Sequence, residues 1–121
     1  MEAQFVRIPL LFDRTSGRRE VVLAEPAAEA GTFIVRSIPA FTYGVALHDR
    51  IRLLDPDSGA YEVVERGMQV VLRLYVDGDL SRPAIQHLID AVVAAGGVFE
   101  IGKNAERENG KSLLLMAFSA Q

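Results

Sequence analysis

The sequence contains no cysteine and only two histidines, and each shortage excludes a class of site. Without cysteine the chain forms no disulfide and offers no thiolate to a metal ion. With His48 and His87 as the only imidazoles, a zinc site built from three histidines is impossible. No complete cofactor-binding loop is present either. We therefore expect neither a metal nor a cofactor, and a reducing compartment is compatible with this composition.

Long apolar segments are also missing. Residues 1–14 lack the basic start and the apolar core of a signal peptide. The longest strongly apolar run without a charge, residues 112–121, is far shorter than the roughly 20 residues that span a bilayer. A chain of 121 residues, half of them hydrophobic, is long enough to bury its own core. We expect a cytoplasmic protein with no membrane association, folded as a single compact domain over residues 1–121.

The second half of the chain contains the clearest element, an amphipathic helix between strands. Five apolar residues recur at helical spacing and form one stripe: Ile85, Leu88, Ile89, Val92 and Val93. Ser81 is the predicted N-cap, Pro83 suits the first turn, and Gly96 supplies a left-handed C-terminal stop. Strands are predicted before and after it, at 69–76, 98–102 and 111–120. Residues 68–121 therefore form a predicted β-α-β-β half.

The first half is predicted to be all β. Short runs rich in β-branched residues alternate with Gly, Pro and Asp turns, which predicts strands at 4–12, 20–26, 32–39, 50–55 and 60–67. The irregular segment 40–49 is predicted to be an ordered loop over one end of a barrel. A bend at Gly67 would let one long strand enter the second half. The predicted fold is α+β: a five-stranded antiparallel barrel-like half, about 1–67, packed on the β-α-β-β half with its single main helix.

Two groups of residues are candidates for function. His48 lies beside Asp49, and a carboxylate that orients an imidazole would suit proton transfer, with Tyr43 as a helper. The alternative is a polar loop pair before a strand. Arg14, Arg18 and Arg19 cluster around one loop and could grip a phosphate or an acidic partner; the alternative is a solvated basic loop tip. Phe41 and Tyr43 could stack on a base or fill a groove of a partner, or else plug the barrel end.

The pattern of motifs resembles a known bacterial family. The matching pieces are EVVLAEP, TFIVRSIP, Gly44, Asp49 ten residues after Pro39, EVVERG and a helix that ends in AAGGVFEI. Together they resemble the family of uncharacterised proteins labelled domain of unknown function 4265, from about Glu20 onward. The resemblance implies a compact α+β protein and brings no activity, cofactor or partner.

The chain departs from that family pattern at two places. The family pattern has Gly where His48 stands, and a polar Gly-His-Ser type segment where Gly67-Met68-Gln69 stands. If that segment were a family active site, this chain would lack its histidine. His48 is then peculiar to this chain.

The function expected from the sequence is a noncatalytic binding or regulatory module that binds another protein, with a homodimer as one form of association. An enzyme that uses His48 and Asp49 is the alternative from another class. Nucleic-acid binding through the arginine cluster is a third alternative. The net charge of −3 argues against it, since nonspecific binding to nucleic acid needs a basic stripe.

Overall fold

The computed structural model describes residues 4–77, 80–102 and 111–120. Within them the chain is mostly sheet with a single helix. The elements in chain order are β1 (Val6–Asp13), β2 (Arg18–Pro26), β3 (Thr32–Val35), β4 (Arg50–Asp55), β5 (Ala60–Glu65), β6 (Gln69–Asp77), α1 (Pro83–Ala94), β7 (Val98–Gly102) and β8 (Lys111–Ser119). The chain divides into two compact units, residues 1–69 and 70–121.

The first unit is a five-stranded antiparallel sheet in which neighbours along the chain are neighbours in space, in the order β1-β2-β3-β4-β5. Alternate residues of each strand point to one face, as the period of two requires. That face carries the core, formed by Ile8, Leu10, Val22, Ala24, Val35 and Ile51, with Val45 added from the connection between β3 and β4. The predicted strands are confirmed, with bounds that differ by a few residues.

The sheet is not closed into a barrel, and the barrel-like prediction is wrong in this respect. Among the described strands β1 pairs only with β2, and β5 pairs only with β4. The turn between β4 and β5 reaches the free edge of β1 instead, where the Leu11 amide donates to the Gly59 carbonyl at 2.9 Å. A Cβ at Gly59 would lie 3.2 Å from the Pro9 carbonyl oxygen. Since Pro9 has no N–H, the β1 edge also lacks one donor for a closing ladder.

Two predicted strand ends differ from the structure. β3 ends at Val35 and not at residue 39, because the Ser37 hydroxyl accepts the Leu23 amide at 3.0 Å and replaces a backbone acceptor. The predicted long strand across Gly67 is interrupted: residues 66–68 separate β5 from β6, and Met68 has a φ of 59°, a left-handed conformation that an extended strand cannot contain.

The second unit is a three-stranded sheet in the order β6-β8-β7, with β7 antiparallel to β8. α1 packs on it through Ile89 and Val92, which contact Leu114 and Met116 of β8. Residues 112–117 are all buried, as their uninterrupted apolar run predicts for a strand covered on both faces.

The predicted ends of the helix have different outcomes. The N-cap is Arg82 and not Ser81, with no side-chain cap bond, so Pro83 is the first helical residue. At the other end Gly96 has a φ of 85°, and the Gly97 amide donates to Val92 at 2.8 Å. This is the left-handed glycine stop that the sequence predicts.

Candidate functional site

The connection between β3 and β4, residues 36–49, contains the most unusual surface of the first unit. Thr42 and Val45 are buried, and Val45 belongs to the core of the sheet. Phe41 and Tyr43 point the other way and are 38% and 66% exposed. This exposure does not fit the alternative in which these two aromatic residues plug the end of the sheet.

A carboxylate holds the aromatic part of this loop in place. Glu20 of β2 lies directly opposite Leu10 of β1 in the sheet, so its side chain is on the core side. Its Oε1 accepts the amides of Phe41 at 2.9 Å and Thr42 at 3.0 Å, and also the Thr42 hydroxyl at 2.8 Å. Its Oε2 accepts the amide of Ala40. One side chain thus satisfies three consecutive backbone donors, which fixes the direction of residues 40–42.

A second carboxylate holds the other end of the loop. Asp49 is 1% exposed. Its Oδ2 accepts the Ala46 amide and Arg66 Nη1, each at 2.9 Å, and its Oδ1 accepts the Gly67 amide at 2.8 Å. The same Arg66 nitrogen also donates to the Gly44 carbonyl at 3.0 Å. Each oxygen of the buried carboxylate is therefore hydrogen-bonded and one is paired with a cation, the condition under which a charge is tolerated inside a protein.

The histidine beside it has a different environment. The His48 side chain is exposed, and none of the hydrogen bonds to the Asp49 carboxylate comes from it. Partial burial, together with the positive charge of Arg36, lowers the pKa of His48. Its φ is 72°, in the left-handed region that glycine adopts freely. The structure does not bring the predicted His48–Asp49 pair together through their side chains.

Close packing explains two glycines near this loop. A Cβ at Gly67 would lie 2.4 Å from the His48 carbonyl oxygen, so no other residue fits without a shift of the backbone. A Cβ at Gly44 would lie 3.3 Å from the Tyr61 hydroxyl oxygen. Burial raises the pKa of Tyr61; Arg66 opposes the rise, whereas Asp49 and Glu20 add to it. The charges of both anchoring carboxylates therefore act on Tyr61 of β5.

The aromatic and basic candidates meet on one surface. The rings of Phe12 and Phe41 lie 5.6 Å apart, tilted by 33°. The Arg18 guanidinium lies 5.8 Å from the centre of the Phe12 ring, within range of a cation–π contact. We call Phe12, Arg18 and Phe41 the Phe41 surface. Tyr43 is exposed two residues along the same loop.

The three predicted arginines have separate roles. Arg18 belongs to the Phe41 surface, and Arg19 donates to the Asp57 carbonyl at 2.6 Å, which ties β2 to the turn between β4 and β5. Arg14 has no ion pair within the described chain and lines a cleft. Of the three, Arg14 and Arg18 lie near Phe12, and Arg19 is bound to the turn.

The cleft lies where the sheet fails to close, and we call it the edge cleft. Its volume is about 530 Å³, in the range of ligand pockets. Residues of β1 and the following turn line one side, and residues of β4 and β5 line the other: Leu11, Phe12, Arg14, Leu54, Ala60, Tyr61, Glu62 and Val63. Phe12 is shared by the edge cleft and the Phe41 surface, so the two are continuous.

Four important residues were not among the sequence candidates: Phe12, Glu20, Tyr61 and Arg66. Glu20 had a detectable signal, since it continues the inward-facing positions of Val22 and Ala24, where a charge requires partners. The other three act through contacts distant in sequence, and no local pattern marks them.

Two kinds of feature are absent from the residues that the structure describes. No three His, Cys, Asp or Glu side chains in this part of the chain converge as ligands of a metal ion. No helix in it is long and apolar enough to cross a membrane.

Comparison with known proteins first defines the class of fold. A crystal structure of a hypothetical protein from Neisseria gonorrhoeae matches with a TM-score of 0.59 and 15% sequence identity, covering all of this chain and 78% of that one. At this identity the likeness concerns the fold alone. No curated protein matches the sequence.

The family follows from the sequence itself. The model of the family described as Domain of unknown function (DUF4265) matches residues 20–107, more than two thirds of the chain. The protein belongs to this family, which confirms the resemblance inferred from the motifs. The matched region includes Glu20, the loop with Phe41 and Tyr43, Asp49 and Gly67.

Proposed function

We propose that this protein is a noncatalytic binding module that recognises another protein through the Phe41 surface and Tyr43. The observation that carries the proposal is the anchoring of residues 40–42 by Glu20. The four hydrogen bonds that this carboxylate accepts hold this part of the loop in a single conformation, while the aromatic side chains at 41 and 43 are 38% and 66% exposed.

The energetics favour an interface. An exposed aromatic side chain forgoes the roughly 25 cal/mol per Å² that burial would contribute. A loop that is rigid before binding loses little conformational entropy when a partner covers it. Phe, Tyr and Arg are enriched where proteins bind one another, and such anchors carry most of the binding energy.

The composition of the surface indicates a protein partner. Two aromatic rings in contact, with a guanidinium over one of them, form an apolar centre with a charged rim, as in protein interfaces. Binding of nucleic acid would need more positively charged side chains on this surface. Arg19 does not add to them, because it donates to the Asp57 carbonyl. We place the module in the bacterial cytoplasm, and a second copy of the chain is one form that the partner can take.

Photo-cross-linking in the source cells tests the proposal. Benzoylphenylalanine at position 43 should give a discrete adduct, and the same residue at position 75 should not. Tyr75 is a matched control because it is also an exposed tyrosine, 51% against 66%. The additional change Phe41→Ala should reduce the yield of the adduct at position 43 several-fold.

The mass of the adduct distinguishes self-association from a different partner, since the chain itself is 13.2 kDa. No adduct at position 43, or equal adducts at 43 and 75, would refute the proposed surface.

A further inference from the structure

The edge cleft has a lining that a pocket above a sheet cannot have. In a strand, successive side chains point to opposite faces, so a pocket on one face is lined by every second residue. The edge cleft is lined by the consecutive residues Ala60, Tyr61, Glu62 and Val63 of β5, and by Leu11 and Phe12 of β1. It therefore reaches the edges of two strands, where their backbone groups point, and it extends past β5 to Leu54 of β4.

Of these two edges, β5 is the one open to a new strand. At β1 the edge is met by the turn before β5, through the bond from the Leu11 amide to the Gly59 carbonyl. Pro9 also removes one donor from β1. β5, which is six residues long, pairs with β4 alone among the described strands. A free edge of this kind presents a row of backbone donors and acceptors to an extended chain.

The charges around the edge cleft favour an acidic occupant. On the β5 side, Glu62 Oε1 lies 3.1 Å from Arg52 Nη1, and the same arginine also pairs with Glu29 at 2.9 Å. On the β1 side, Arg14 lines the cleft without an ion pair in the described chain. Arg18 follows on the adjoining Phe41 surface. Of the two charged residues that line the cleft, Arg14 is the one without an ion pair in the described chain, and a guanidinium pairs best with a carboxylate.

We propose that β5 accepts an extended, acidic segment of a partner protein as an added strand in the edge cleft. Backbone hydrogen bonds to β5 supply affinity, and Arg14 binds a carboxylate of the segment. Apolar side chains of the segment contact Leu11, Leu54 and Val63. This inference rests on the proposed function, since it takes the partner to be a protein, and it specifies how that partner binds beside the Phe41 surface.

The probe is a peptide selected from a display library of random decapeptides against the full chain. We expect the selected peptides to be rich in Asp and Glu with alternating apolar residues. In an extended peptide, successive N–H groups point to opposite edges. N-methylation at every second residue therefore blocks one edge only. One methylated series should bind at least tenfold more weakly than the parent peptide, and the complementary series should bind within about twofold of it.

A variant of the protein tests whether the positive charge of Arg14 contributes to peptide binding. Arg14→Gln should weaken binding of the acidic peptide about tenfold, the loss expected for one charge-assisted contact. Arg7→Gln is the matched control, because Arg7 is an exposed arginine of the same edge strand outside the cleft. Hydrogen–deuterium exchange of the β5 amides should slow when the peptide binds.

The outcomes separate the inference from the proposed function. A library without acidic binders, equal binding of both methylated series, or equal effects at Arg14 and Arg7 would overturn strand addition, even where position 43 cross-links. Peptides that protect the β5 amides in a protein without an adduct at position 43 would support strand addition and reject the Phe41 surface.

Discussion

Replacing the buried carboxylate of Asp49 should be among the most damaging single changes in the first unit. The side chain is 1% exposed and accepts hydrogen bonds from the amides of Ala46 and Gly67 and from Arg66. Asp49→Ala removes all three at once. It leaves two amides facing a small cavity that offers them no acceptor.

The magnitude follows from these partners. Each amide deprived of its acceptor costs about 1–3 kcal/mol. The Arg66 side chain is 60% exposed, so solvent screening limits its ion pair to about 1 kcal/mol or less. Asp49→Ala should therefore lower the free energy of unfolding by about 3–5 kcal/mol, a large share of the roughly 5–15 kcal/mol of a typical domain. Asp49→Asn keeps one oxygen and should lose about half as much.

Urea unfolding followed by circular dichroism measures the difference. Asp57→Ala is the control: Asp57 lies in the exposed turn after β4, and its carboxylate accepts no hydrogen bond from the described residues. It should leave the free energy of unfolding unchanged within about 0.5 kcal/mol. A loss below about 1 kcal/mol for Asp49→Ala would show that the carboxylate does not organise the loop.

Three further changes test the loop. His48→Gly should raise stability by about 0.5–1 kcal/mol, since a left-handed residue costs more than the added chain entropy of glycine; an unchanged or lower urea midpoint would contradict this. Partial burial and the charge of Arg36 lower the pKa of His48 in the folded protein. The free energy of unfolding should therefore be highest above about pH 6.5 and should decrease as the pH falls from there toward the folded pKa. Urea denaturation at several pH values should show a smaller decrease in His48→Gly. Gly67→Ala should destabilise by about 1–3 kcal/mol through the clash with His48, and an unchanged melting temperature would argue against the close approach. Glu20→Ala should speed amide exchange at 40–42 at least tenfold, and unchanged protection would exclude the anchor.

Local sequence pattern predicted the elements because each of them has a local cause. The stripe from Ile85 to Val93 specifies one helix, and Gly96 ends it through its left-handed conformation. The strands are bounded by turns that contain Gly17, Gly31 or Gly59, each with positive φ. These causes act within a few residues, so sequence alone reveals them.

The candidate site depends on contacts that are distant in the chain. Glu20 meets residues 40–42, and Arg66 meets Asp49, over separations that no periodicity encodes. The open edge of the sheet also depends on a contact between residues that are distant in the chain, because the turn at Gly59 lies against the edge of β1 near Pro9. The arginines and aromatic residues were identified by type, but Phe12 joins them only through the fold.

The backbone conformation of His48 bears on one departure from the family pattern. The resemblance implies glycine at this position, and a φ of 72° is a conformation that glycine adopts without strain. A residue with a side chain is tolerated there at a cost of about 1–2 kcal/mol. A catalytic imidazole needs no such backbone, so the geometry of His48 gives no support to a proton-transfer role.

The hydrogen bonds of Asp49 bear on the choice between an enzyme and a binding module. Asp49 already accepts three hydrogen bonds, from Ala46, Gly67 and Arg66, and a His48 ring that replaced one of these donors would leave that donor without its acceptor. Each buried amide released in this way costs about 1–3 kcal/mol, whereas general acid–base assistance contributes about 10²–10⁴-fold, or about 3–5 kcal/mol. The cost of leaving such an amide without its acceptor would thus offset much of the rate gain that a catalytic His48 could supply. Binding through Phe41 and Tyr43 has no such conflict, because it uses the loop in the conformation that Glu20 and Asp49 already hold.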